Sequence, residues 1–199
     1  VKKTYWFILG VLILVIIVVA LLWQWRKFPR LKEEVLPSIT PEVIPEKTRS
    51  VKLYFVSEKG TTLTIETREI NATGSELDQA HLIIQELIVG PAPNSNLAPT
   101  IPPGTKLREI YFDSGGSAYV DFSREIQDNH PGGSTGELLT IFSVVNTLVA
   151  NSSKIKRVQV LVEGKEIPTL AGHIDTSRPF KKNEEILLDT AAGRKEIVP

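Results

Sequence analysis

Residues able to do chemistry are few in this chain, and their spacing limits what they could do. The 199 residues include 3 histidines but no cysteine and no methionine. That excludes disulfides, thiolate metal sites and cysteine nucleophiles. The richest cluster is Asp121, Glu125, Asp128 and His130. Carboxylates and an imidazole are the ligand types of a metal centre, and the groups of general acid–base hydrolysis. Asp121, however, alternates outward on an expected strand, and Asp128-Asn129 reads as a solvated turn, so neither a metal nor a cofactor is expected. His173 and Asp175 form a turn pair better suited to a local hydrogen bond than to a catalytic dyad. His81 falls at the edge of a helical apolar stripe, where a packed or half-exposed imidazole is expected. Ser123, Ser134 and Ser143 lack the glycine frame of a nucleophile elbow. Gly132-Gly133 follows a loop and not a strand, which is not the arrangement of a phosphate-binding turn. No catalytic residue is assigned.

The elements that must carry these residues follow from period and punctuation. Val51, Leu53 and Phe55 alternate as in a strand, and the alternation resumes over Leu63–Arg68 after Gly60. Thr73-Gly-Ser-Glu76 offers a capping box. Leu77, Ala80, Ile83, Ile84, Leu87 and Ile88 then recur at helical spacing until Gly90-Pro91. After a proline-rich loop over 92–106, strands at 107–113 and 117–122 flank Ser114-Gly115-Gly116 as a hairpin. Ser134-Thr-Gly-Glu137 reads as a second capping box, opening a helix with one stripe of Leu138, Ile141, Phe142, Val145, Leu148 and Val149. Val158, Val160 and Val162 mark a last strand. Two helices with one stripe each cover one face of a sheet. The expected fold is therefore α+β, a two-layer sandwich with a mixed or antiparallel sheet and both helices on the same face. The other face would present Lys52, Tyr54, Glu66, Tyr119 and Leu161, and Tyr54 and Tyr119 are the candidate partner-binding residues.

Ahead of this domain, Tyr5–Trp23 is free of charge, long enough at about 1.5 Å per residue to span a hydrocarbon core of roughly 30 Å. Bulky residues stand where a signal peptidase would need small ones. The expected organisation is a transmembrane anchor over 1–27, a proline-rich linker over 28–50, the domain over 51–181 and a frayed tail over 182–199. Basic residues flank the span on both sides, with the larger number after it, so charge alone does not place the domain outside. Acidic and basic residues balance at 23 each, which speaks against nucleic acid as a partner.

Several stretches resemble the GerMN domain of bacterial sporulation and spore-germination proteins. They are Leu87-Ile-Val-Gly-Pro91, Ile101-Pro-Pro-Gly-Thr-Lys-Leu107, Val120-Asp-Phe-Ser-Arg-Glu125, Val144-Val-Asn-Thr-Leu148, Val158-Gln-Val-Leu-Val-Glu-Gly164, Leu170-Ala-Gly-His-Ile-Asp175 and Arg178-Pro-Phe180. The resemblance implies a membrane-anchored, extracytoplasmic domain without catalysis, similar in fold to ring-building modules. Its partners would be other envelope proteins or further copies of itself. The family's frequent tandem copies and lipoprotein anchors are not matched here. Two other readings compete: a peptidoglycan hydrolase using Asp121, Glu125 or His130, and a glycan binder using the loop 92–106.

Overall fold

The computed structural model describes residues 2–26 and 47–187. The chain divides into two units, the first holding helix α1 and the second everything from the first strand onward. Helix α1 (Lys2–Arg26) is 25 residues long, roughly 37 Å at about 1.5 Å per residue. Side chains in it are described from Leu12, and those of Leu12 to Leu22 are exposed. Among the described residues no helix is long and apolar enough to cross a membrane. The expected linker lies outside the described residues over 28–46, and the expected tail over 188–199.

In the second unit, β1 (Thr48–Val56) and β2 (Leu63–Asn71) pair antiparallel from Thr48↔Asn71 to Val56↔Leu63. Helix α2 (Glu76–Val89) follows. Strands β3 (Leu107–Phe112) and β4 (Ser117–Phe122) form the expected antiparallel hairpin. Gly116 turns it with φ 83°, and a Cβ there would stand 2.9 Å from the Lys154 carbonyl, so only glycine fits this approach. A short helix α3 (Glu125–Asp128) and the long α4 (Ser134–Asn151) cross to β5 (Arg157–Val162), which is parallel to β4. Glu163 and Gly164, at φ 52° and 75°, make a tight turn of the hairpin class into β6 (Lys165–Glu166). Strand β7 (Phe180–Lys181) also pairs with β5, and a 3-10 turn closes the described chain at Glu185–Leu187.

The expected single sheet is corrected. The β1–β2 hairpin is a sheet of its own, separate from the five-stranded sheet β3-β4-β5-β6 with β7 on β5. The physical reason lies in α4, which touches β1 as well as α2, β5 and β7. Residues 139–148 are buried without interruption, more than two turns, so α4 is covered all round and not along one stripe. Its polar side chains then act as a neighbouring strand for β1. The Lys52 N–H donates to Asn151 Oδ1 (3.0 Å), Asn151 Nδ2 donates to the Lys52 carbonyl (2.7 Å), and the Tyr54 N–H donates to Thr147 Oγ1 (3.2 Å). One turn back, Asn146 makes the same two-way pairing with the main chain of Asn183, at 2.7 and 2.9 Å. The segment expected to fray is therefore built into the fold as far as Leu187, with Ile186 buried.

Replacing Asn151 by alanine leaves both main-chain groups of Lys52 without their partner. Urea unfolding of Asn151→Ala should show a loss of about 2–4 kcal/mol with little change in m-value.

Candidate functional site

The two tyrosines do not share a face. Tyr54 is 1% exposed. Burial raises the pKa of its phenol, with Lys182 and Glu184 beside it. The outward placement expected for Tyr54 is corrected because α4 and the chain through 182–187 close over the hairpin. Tyr119 is half-buried on β4 and is paired across the strands with Tyr111, which is 53% exposed. Farther along the same face, Leu161 is buried, and Gln159 Nε2 donates to the Thr176 carbonyl at 2.6 Å. The chain after β6 thus covers the Gln159 part of the face expected to be open.

The acidic and imidazole groups do not gather, and each is turned to its own partner. Asp121 is buried, its carboxylate taking Arg108 Nε at 3.0 Å and the Gly164 N–H at 2.8 Å. It therefore fixes the β5–β6 turn and is not solvated as expected. The Ser123 hydroxyl and Glu125's own N–H hold the Glu125 carboxyl below its usual range. Asp128 is exposed and pairs with Arg124 at 3.4 Å. Among the described residues no group of three or more His, Cys, Asp or Glu is placed to hold a metal ion. His81 lies half-buried with Nε2 3.1 Å from Glu109, without the alignment of a directed hydrogen bond.

His130 is spent on a relay. The Gly132 N–H donates to its Nδ1 (2.9 Å), which leaves Nε2 to donate to Thr140 Oγ1 (3.1 Å), and that hydroxyl donates to the Thr100 carbonyl (2.7 Å). Burial lowers the imidazole's pKa, in keeping with a neutral ring. Together with Asn129 Nδ2 on the Pro103 carbonyl (2.7 Å) and the paired main chains of Val56 and Ala98, the relay presses the proline-rich loop against α4. Between them lies a groove of about 210 Å³, walled by Pro99, Ile101, Pro102, Pro103, Pro131 and Leu139.

Glu137 is the group that sequence reasoning misread. Neither capping box forms as expected. Helix α2 is capped by Ser75, whose side chain accepts from the Asp78 N–H, and α4 begins after Gly133 with no side-chain cap. Glu137, fully buried, instead reaches across to the loop after β6. It accepts the N–H groups of Leu170 (2.8 Å), Ala171 (2.9 Å) and His173 (2.8 Å), with His173 Nδ1 3.3 Å away. His173 thus belongs to Glu137, while Asp175 accepts the Ser177 N–H. The clue in the sequence was a lone acid facing a Leu-Ala-Gly-His turn, legible only with the pairing in hand.

A compact α+β module with its polar side chains committed to its own main chain is the class that this geometry defines. Residues 52–168 match the Germane family, described as sporulation and spore germination, and the chain belongs to that family. It superposes on the first GerMN domain of the sporulation protein GerM from Bacillus subtilis with a TM-score of 0.52 and 20% identity, over 69% of this chain and 98% of that one. The tandem GerMN domains of the same protein give a TM-score of 0.51 and 20% identity over 69% of this chain. This chain spans 46% of the tandem. A candidate lipoprotein from Clostridium perfringens is 28% identical, with a TM-score of 0.49, over 68% of this chain and 88% of that one. No curated protein matches. The fold is that of a GerMN domain.

Burial pushes the Glu137 carboxyl up, but the N–H groups of Ala171, His173, Ile174 and Leu170 outweigh it and hold the pKa below the ordinary 4.5. A carboxylate with a depressed folded pKa stabilises fully above its unfolded value and loses that contribution as pH falls through the folded one. Stability measured by denaturant should therefore fall below about pH 4.5, and Glu137→Gln should be less stable at pH 7 with a flatter acid limb.

Proposed function

We propose that this chain is a membrane-anchored, non-enzymatic interaction module of the bacterial cell envelope, with its Germane domain outside the cytoplasmic membrane. The anchor rests on the sequence, on the uncharged run 5–23, while among the described residues no helix by itself has the length and apolarity of a membrane span. The side chains described there, such as Leu14 at 64% and Leu22 at 59%, are apolar and uncovered, which suits lipid as their solvent. Family membership supports the placement outside the membrane, against a charge count that favours the opposite side.

Support for binding over catalysis comes from the site. Asp121, Glu137 and His130 are each held by backbone, arginine or threonine partners. A hydrolase would keep an acid and a base free toward a common cleft. The natural partners are other envelope proteins of a sporulation- or germination-type assembly, or further copies of this chain.

Because the chain lacks cysteine, one introduced thiol reports topology without background. Glu58→Cys lies at an exposed turn of the β1–β2 hairpin. It should be labelled by a membrane-impermeant maleimide in intact cells. Labelling only after lysis would overturn the orientation, and recovery of the chain in the soluble fraction would overturn the anchor.

A further inference from the structure

Strand edges are protected unequally in this fold. The Ser57 N–H donates to the Thr62 carbonyl and the Ala72 N–H to the Lys47 carbonyl. With the register between them, Thr64, Glu66, Arg68 and Ile70 bond to β1, while Ile65, Thr67 and Glu69 turn their N–H and C=O groups outward. The outer edge of β1 is filled by Ala98, Thr147 and Asn151. That of β3 is broken by a bulge between Leu107 and Glu109, and the Glu109 carboxylate takes the Ile110 N–H at 3.1 Å. Such devices keep an edge from pairing with another chain. Strand β2 has none of them. It runs 9 residues without proline, lysine or a shift of register. Ile65, Thr67 and Glu69 are exposed, and among the described residues their outward main-chain groups meet no partner.

We infer that this edge receives β2 of a second copy, antiparallel about a two-fold axis at Thr67. This rests on the reading of the domain as a module that grips other proteins, and it names the chain itself as one of them.

Charge selects both the occupant and the register. A two-fold contact must be complementary to itself, and outward residues of one strand must meet outward residues of the other. Centred on Thr67, Ile65 faces Glu69 of the second copy and the two Thr67 residues face each other, as hydrogen-bonded pairs. Between them, Glu66 faces Arg68 twice, in the non-hydrogen-bonded positions where Cα atoms approach to about 4.5 Å. Centring on Glu66 would instead oppose two glutamates, and centring on Arg68 two arginines; like charges directly opposite destabilise a sheet. Each Arg68 already holds Glu66 at 2.5 Å and Glu86 at 2.7 Å, so the second copy extends an existing network of alternating charge. About six main-chain hydrogen bonds would join the hairpins into one four-stranded sheet. Such a contact closes at two copies and builds no ring. One strand from each copy is a small interface, which suits chains whose tethers raise their effective concentration.

The test uses the full chain in whole cells treated with a membrane-permeant oxidant, with single cysteines placed in a sequence that has none. Thr67→Cys should crosslink to a dimer, because residue 67 stands opposite itself with Cα atoms about 5.5 Å apart, within disulfide reach. Ile65→Cys alone and Glu69→Cys alone should not, since each stands roughly 14 Å from its counterpart. Coexpressed, the two should crosslink to each other. Thr67→Pro removes an N–H that β1 does not use, so it should keep the fold and abolish the crosslink of that coexpressed pair. The cysteine series carries the test should the proline variant fail to fold. No dimer from Thr67→Cys, or equal crosslinking of Ile65→Cys or Glu69→Cys alone, would overturn the proposal. So would a Thr67→Cys dimer that forms only once residues 188–199 are deleted, because the tail then holds the edge. A chain that fails the maleimide assay but crosslinks in this register loses its topology and keeps its dimer. One that passes that assay without crosslinking keeps its topology and loses the dimer.

Discussion

Every main-chain N–H and C=O taken out of water needs a partner, and in this protein helix α4 meets that requirement for two segments of no adjoining strand. Asn151 and Thr147 pair with β1, and Asn146 pairs with the chain at Asn183. A side-chain amide offers donors and an acceptor in one plane, as a peptide group does, so an asparagine can complete a strand edge from a helix. The hairpin can then stay separate from the main sheet without exposing a bare edge on that side. The burial of Tyr54, the enclosure of α4 and the docking of the chain up to Leu187 all follow from this placement.

The same economy explains why the acidic and imidazole groups do not gather. Glu137 enters the first turn of α4 and ties down the loop 170–173, as Asp121 ties down the β5–β6 turn. A carboxylate satisfied by several N–H groups is a poor base, because protonating it breaks those bonds. What the fold leaves to the solvent is different in kind: a neutral proline-walled groove, and the aromatic pair Tyr111 and Tyr119 at the free end of the main sheet.

Local patterns were legible in the sequence, and long-range pairings were not. The alternation of Val51, Leu53 and Phe55, the stripe from Leu77 to Ile88 and the Gly115-Gly116 turn each record one element's own periodicity, and each element formed where it was expected. The order of motifs from Leu87 to Phe180 made the family legible too. Hidden in the sequence was which partner each polar residue would meet. Thr140, Ser143, Asn146, Thr147 and Asn151 looked like the solvent face of an amphipathic helix. They are small enough to be buried under a second layer, and their hydrogen bonds reach as far as 99 residues along the chain, from Asn151 to Lys52. Tyr54 was misplaced for the same reason, since alternation gives the two faces of a strand but not what covers them. Glu137 matched a capping box by spacing, and only the position of the loop 170–173 reveals its other use.

Native-state hydrogen exchange at the amides of Lys52, Tyr54 and Asn183 tests this arrangement most directly. These three are bonded to side chains of α4, so if α4 serves as a strand for its neighbours they should open only with the whole domain, at the same free energy as Val120 and Val160 in the central strands. Exchange at these positions through cheap local opening, while the central strands stay protected, would contradict it.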